Sequence, residues 1–372
     1  KTEISVDILS VLNKLYYFGQ FEKLAWCSIV NFRNVMHISD CTDKSVIAVG
    51  DYAVALCGAG YLKSSRKLFK YEGKQVAASG NLRNISIFKA RHGYYYMFTG
   101  DMNKSILHLE FAALNFSALG EQWEYMTAES ALGEDYFFTG NFVKAQRAFE
   151  EAEHQARLLH SPMHIGWAYN KIPFIKYLQG RVTAEEAVIQ INQGIEMSRN
   201  ANDSMEMCIH YGLLSYIAIK EHRPLQALEY AEDIVKANKN YKTGVPHIKM
   251  SYVYAVEAVC YAFEQQVIRT GRRSKYMSLA KYALLQAQKA GKKYPMVRGP
   301  AERAAARFAL VKGEKRKAGM LCHSSIEVLS AEPYSWECAK SLMLASKCGI
   351  DETGSCRKRA EMIMAALGLQ TV

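Results

Sequence analysis

Residues 93–112 read GYYYMFTGDMNKSILHLEFA, and residues 133–152 read GEDYFFTGNFVKAQRAFEEA. At a forty-residue offset, Gly93, Tyr96, Gly100, Ser105, Leu109 and Ala112 return as Gly133, Tyr136, Gly140, Ala145, Phe149 and Ala152. Small residues at these places let two antiparallel helices approach closely, and the aromatic ones fill the gaps between them. A central glycine supplies the turn, since the residue after a helix end commonly takes a positive φ. The pattern predicts one helical hairpin written twice.

The same hairpin extends outward in both directions. Upstream, apolar residues at helical spacing predict helices over 5–18 and 21–36 around Gly19, then over 43–56 and 61–78 around Gly58 and Gly60. Turn glycines thus fall at 19, 60, 100, 140 and 180, an interval that points to internal duplication. Downstream, His222 holds the turn position ahead of Pro224, and 250–269 reads as one long helix. The segment TGRRS lengthens the following turn, before a helix over about 275–290. The pattern returns in AERAAARFALVKGEKRKAGMLCHSSIEVL at 301–329, where Ala306, Ala309, Gly313, Ala318, Cys322 and Ser325 hold the six positions. Helices over 336–347 and 355–367, with Gly349 and Gly354 between them, are expected to cap the stack ahead of a short tail from Gln370 to Val372.

These hairpins resemble tetratricopeptide units lengthened by about six residues over the usual 34, close to one extra turn per helix. The expected fold is all-α: a right-handed superhelical solenoid of about nine antiparallel hairpins. Repeats 1–265 are expected to run without a break into a basic array with a capping hairpin, 266–372. The composition agrees, with 49% hydrophobic residues to supply a continuous core. Seven prolines, none expected inside the strongest helical stretches, favour helix over sheet.

The last third, KYALLQAQKAGKKYPMVRGPAERAAARFALVKGEKRKAGMLCHSSIEVLSAEPYSWECAKSLMLASKCG with RAEMIMAALG, resembles the C-terminal region of large multidomain proteins. These join class III cyclase domains, an ATPase and a helical-repeat tail, in the soluble adenylyl cyclase type of arrangement. Tyr294, Pro295, Arg298, Pro300, Gly313, Ala318, Pro333, Tyr334, Ala339, Leu344, Ala360 and Gly368 carry the likeness. It implies a regulatory or interaction region. No cyclase aspartates and no ATPase motif accompany it, so it assigns no catalytic residue.

The residues themselves point away from catalysis. A phosphate-binding loop needs bracketing glycines followed by Lys and Ser or Thr, and TGRRSK at 270–275 lacks both the second glycine and a preceding strand. Metal sites need paired ligands. Cys208 with His210, His160 with His164 across Pro162, and Cys338, Cys348 and Cys356 all fall at unsuitable intervals. No cofactor, metal or catalytic residue is expected. Nine scattered cysteines predict free thiols and a cytoplasmic, reducing setting. The chain opens at Lys1 without an initiator Met, as an excerpt of a longer polypeptide would. The most apolar run, 251–263, is interrupted by Glu257 and is too short to span a bilayer.

Charge is unevenly placed. From Gln266 to Met320, fifteen Lys and Arg stand against Glu302 and Glu314 alone, a net +13 that exceeds the +11 of the whole chain. Arg269, Arg272, Arg273 and Lys275 at one turn, and Lys312, Lys315, Arg316 and Lys317 at the next, are expected to share an edge and to meet an acidic protein surface. A plain solvated face is the competing explanation. The function expected is a non-catalytic protein–protein interaction scaffold for partner proteins or for other domains of the same polypeptide. A free-standing adaptor or assembly factor is the alternative, and a nucleic-acid-associated repeat protein is a third.

Overall fold

The computed structural model describes residues 2–16, 21–36, 43–239, 245–331, 334–347 and 354–369. Helix accounts for 87% of the described residues, and no strand occurs among them. The helices follow one another in pairs: α1 (Thr2–Tyr16) with α2 (Phe21–Val35), α3 (Asp43–Ala59) with α4 (Leu62–Ser79), and α5 (Leu82–Thr99) with α6 (Met102–Leu119). Next come α7 (Gln122–Thr139) with α8 (Phe142–Leu158), α9 (Pro162–Leu178) with α10 (Ala184–Asn200), and α11 (Ser204–Lys220) with α12 (Pro224–Asn238). After the short α13 (Pro246–Lys249), α14 (Ser251–Glu264) pairs with α15 (Arg273–Lys293), α16 (Pro295–Val311) with α17 (Lys315–Ser330), and α18 (Ser335–Lys347) with α19 (Ser355–Ala366). First helices of successive pairs also touch, α3 with α5, α11 with α14, α14 with α16 and α16 with α18.

The repeated positions act as their chemistry requires. A Cβ on Gly93 would lie 2.8 Å from Cγ of Leu109, and one on Gly133 would lie 2.7 Å from the Phe149 ring, so each glycine admits the large residue sixteen places later. Ala306 and Cys322 pack together at the corresponding positions of the third copy. Turns within pairs are left-handed at Gly60, Gly100, Gly140, Gly180, His222 and Gly313, as expected; Gly19 lies outside the described residues. A second series, absent from the sequence reading, sits between pairs: Gly80, Gly120, His160 and Asn202 also take positive φ. The half-period of twenty residues is therefore as regular as the full one.

Two expectations need correction. The helix read as 250–269 ends at Glu264, because Gln266 turns the chain at φ 55° and a 3₁₀ turn over Thr270–Arg272 follows. Pro173 and Pro300 lie inside α9 and α16. The other helical prolines, Pro162, Pro224, Pro246 and Pro295, open their helices, where a missing donor costs nothing.

The chain divides into two compact units. One comprises Lys1–Asp135 with Arg147–His164; the other comprises Tyr136–Gln146 with Ile165–Val372. No described helix is long and apolar enough to cross a membrane.

Candidate functional site

In the first unit the first helices are tied across pairs by arginine. Arg91 on α5 donates from Nε to Asp51 of α3 at 3.0 Å and from Nη1 to Glu124 of α7 at 2.7 Å, 40 residues back and 33 forward. Close packing of the arginine stem on Gly50 makes room for this, since a Cβ there would lie 2.7 Å from Cγ of Arg91. Arg83 repeats the device about two turns earlier on α5, reaching Asp43 at 2.6 Å and Glu121 at 2.5 Å. Beside Arg91, Glu72 is 2% exposed, and burial, then the Asp51 charge, pushes its carboxyl well above the usual range. Glu129 is pushed up to about 7 by burial and by Glu151 and Glu110.

The second unit uses the same arrangement with a longer step. Arg303 on α16 donates from Nε to Glu257 of α14 at 2.7 Å and from Nη1 to Glu337 of α18 at 2.6 Å, 46 residues back and 34 forward. The extra residues are those of the lengthened turn after α14. Burial works against the guanidinium, but the two carboxylates hold it charged, and burial likewise opposes the Glu337 charge that Arg303 and Lys340 sustain.

Trp336 is buried among four aromatic rings of this unit. Its ring lies 5.4 Å from that of Phe137, 5.9 Å from Phe142 and Phe174, and 5.6 Å from Tyr216, edge-on in each case. One turn later, the Lys340 ammonium sits 4.1 Å from the Trp336 centroid, 5.4 Å from Tyr216 and 5.2 Å from Tyr254, and 2.6 Å from Glu337. Ser335 Oγ donates to the carbonyl of Thr139 at 2.9 Å. The inner face of this unit is thus occupied by α18, and α14 is buried at every position from Ser251 to Ala262. No motif or spacing in the sequence singles out Trp336, Glu337 or Lys340. The one legible sign was Glu257, a charge set within an otherwise apolar helix.

The eight basic residues singled out from the sequence are all exposed. Arg269 precedes and Arg272 ends the 3₁₀ turn, and Arg273 and Lys275 begin α15, with Arg273 lying 5.3 Å over the Phe263 ring and Lys275 pairing with Glu232 at 2.6 Å. Lys312 follows α16, and Lys315, Arg316 and Lys317 begin α17, where Glu314 pairs with Lys312 and, at 3.0 Å, with Lys317. Two other cations of the basic segment belong elsewhere: Arg303 is buried, and Arg307 is held by Glu264 at 2.8 Å and stacks 5.7 Å over Tyr261. That latter bond ties the end of α16 to the end of α14, next to the two basic turns.

Among the described residues no three His, Cys, Asp or Glu converge as a metal site would require. Cys208 and His210 are both buried on α11, and burial lowers His210 to about 4 and raises Cys208 to about 12. The seven described cysteines are free thiols; Cys41 and Cys348 lie outside the described residues.

The sequence matches no known family model and no curated protein. Solved structures do share its fold. A Rap protein complexed with Competence and Sporulation Factor superposes with a TM-score of 0.72 at 10% identity, over 98% of each chain. Aspartyl phosphate phosphatase F from Bacillus subtilis gives 0.52 at 11% identity, over 88% of this chain and 94% of that one. The Rap conjugation gene regulator of plasmid pLS20, in complex with the Phr* peptide, gives 0.50 at 10%, over 88% of this chain and 97% of that one. At these identities the likeness establishes the fold: this chain is a helical repeat array of the kind seen in Rap proteins.

Proposed function

We propose that the chain is a non-catalytic interaction scaffold whose exposed basic edge docks an acidic segment of a partner protein. The observation that carries this is where the cations stand. Arg273 and Lys275 begin α15, and Lys315, Arg316 and Lys317 begin α17, with no acidic residue in either first turn. The amino end of a helix already carries partial positive charge, so cations added there are disfavoured in the free protein, least so Lys275 and Lys317, which pair with Glu232 and Glu314. An anionic partner would turn that cost into attraction, because helix ends and side chains would then act in the same sense. Structural neighbours solved with a bound factor or peptide support the use of this fold as a binding platform. The resemblance of residues 281–349 to the tail of cyclase- and ATPase-type signalling proteins supports a place within a larger signalling polypeptide, with a free-standing adaptor as the alternative.

Changing Arg272, Lys315, Arg316 and Lys317 together to Glu tests the edge. Capture of partners from the native source, and binding of a glutamate-rich peptide at low salt, should both be lost. The melting temperature should hold or rise, since glutamate suits a helix amino end. Unchanged capture would make the edge ordinary solvated surface.

A further inference from the structure

We propose that α18 is an internal occupant of the second unit's inner face, and that the same seat takes a partner helix bearing a large aromatic side chain and a lysine or arginine one turn later. This deepens the scaffold reading above and rests on it.

Two sets of contacts hold α18. Toward its own neighbours it packs through small side chains, Ala345 against Ala306 and Cys322. Its larger groups point into a seat made by segments far away in the chain: Phe137 and Phe142, Phe174 of α9, Tyr216 of α11 and Tyr254 of α14. Two residues of α18, one helical turn apart, carry this second set, Trp336 and Lys340; Glu337 instead meets Arg303 of the adjacent α16. A partner helix with the same aromatic and cation would reproduce the ring contacts, which is helix-in-groove recognition with the aromatic as anchor.

The seat is built to recognise. It encloses the charges of Glu257, Arg303, Glu337 and Lys340, which are at most 9% exposed as side chains, and Nη2 of Arg303 has no hydrogen-bond partner among the described residues. Buried ion pairs repay little more than their desolvation, so they fix which group sits where more than they strengthen the closure. An all-apolar seat would bind α18 more firmly and read less. With α18 lifted away, Glu257 and Arg303 would keep each other as a neutral pair, leaving a trough of aromatic rings whose faces attract a cation. That trough selects an indole or phenyl ring followed by a cation.

Two measurements on the full chain test this. Under native conditions, amide exchange in 335–347 should run at least about tenfold faster than in 252–262 of α14, as expected of a helix that opens alone. Equal rates would make α18 ordinary core and overturn the proposal. The second probe is a labelled peptide with the sequence of Tyr334–Lys347, titrated against wild-type chain and against W336A/K340A. Removing the internal competitor should tighten binding by at least about tenfold. A scrambled peptide binding as well, or no difference between the two chains, would overturn it. Should W336A/K340A lose its helical signal, E337Q, which keeps the shape and removes one charge, takes its place with the same criteria. Charge reversal of the basic edge reads partner capture independently, so failure here and failure of the scaffold reading give different results.

Discussion

Ser335 donates to the carbonyl oxygen of Thr139, 196 residues earlier in the chain. That bond brings the start of the last helix pair to the turn at Gly140. Leu367 comes to the same place: a Cβ on Gly140 would lie 2.9 Å from Ser335 Oγ and 3.0 Å from Cδ2 of Leu367. Inside the second unit the repeat array therefore meets itself.

Gly140 and Gly313 occupy equivalent turns with φ of 82° and 78°, but nothing lies within 4 Å of a Cβ on Gly313. Either glycine changed to Ala should cost about 1 to 2 kcal/mol through the left-handed backbone. At Gly140 the crowding adds roughly 1 kcal/mol more. Urea denaturation of G140A and G313A gives the comparison, and S335A combined with G140A should recover part of the difference. Equal losses would mean that the C-terminal pair does not press on this turn.

Replacing Arg303 by Met should be severe, because it strands Glu257 in an apolar helix. A loss of about 3 to 5 kcal/mol is expected. Adding E257Q should restore much of it, since Glu337 retains Lys340 at 2.6 Å. A double variant no more stable than R303M would show that the arginine acts through packing and not through charge.

Stability should fall in mild acid on account of His210, which is fully buried, with its Nδ1 2.8 Å from the Glu206 carbonyl. Burial, the main cause, lowers its pKa from 6.5 to about 4. A group depressed in this way favours the folded state above the unfolded value and loses that contribution as pH drops from 6.5 toward 4. By pH 5 the loss is roughly 2 kcal/mol for this residue. H210Q should narrow the gap between melts at pH 7 and pH 5. An unchanged gap would place the acid sensitivity on other groups, of which His164, lowered to about 3, is the next to examine.

What the sequence determined by itself is everything that depends on neighbours about sixteen or fewer residues apart. A glycine at φ near 80°, a small residue facing a large one across a hairpin, and a proline opening a helix all act locally, so the forty-residue pattern places helices and turns correctly. Even the missed turns at Gly80 and Gly120 obey that period and were there to be read. Which inner-face side chains meet was decided only in three dimensions. The partners of Arg91 lie 40 and 33 residues away and those of Arg303 lie 46 and 34, a change of step imposed by one longer turn. Arg303 thereby looked like one more member of a basic segment and proved to be buried. The seat of Trp336 is further removed still. Its position depends on the rotation added at each helix pair between Phe137 and the last one, and small rotations summed over many pairs leave no mark on any single repeat.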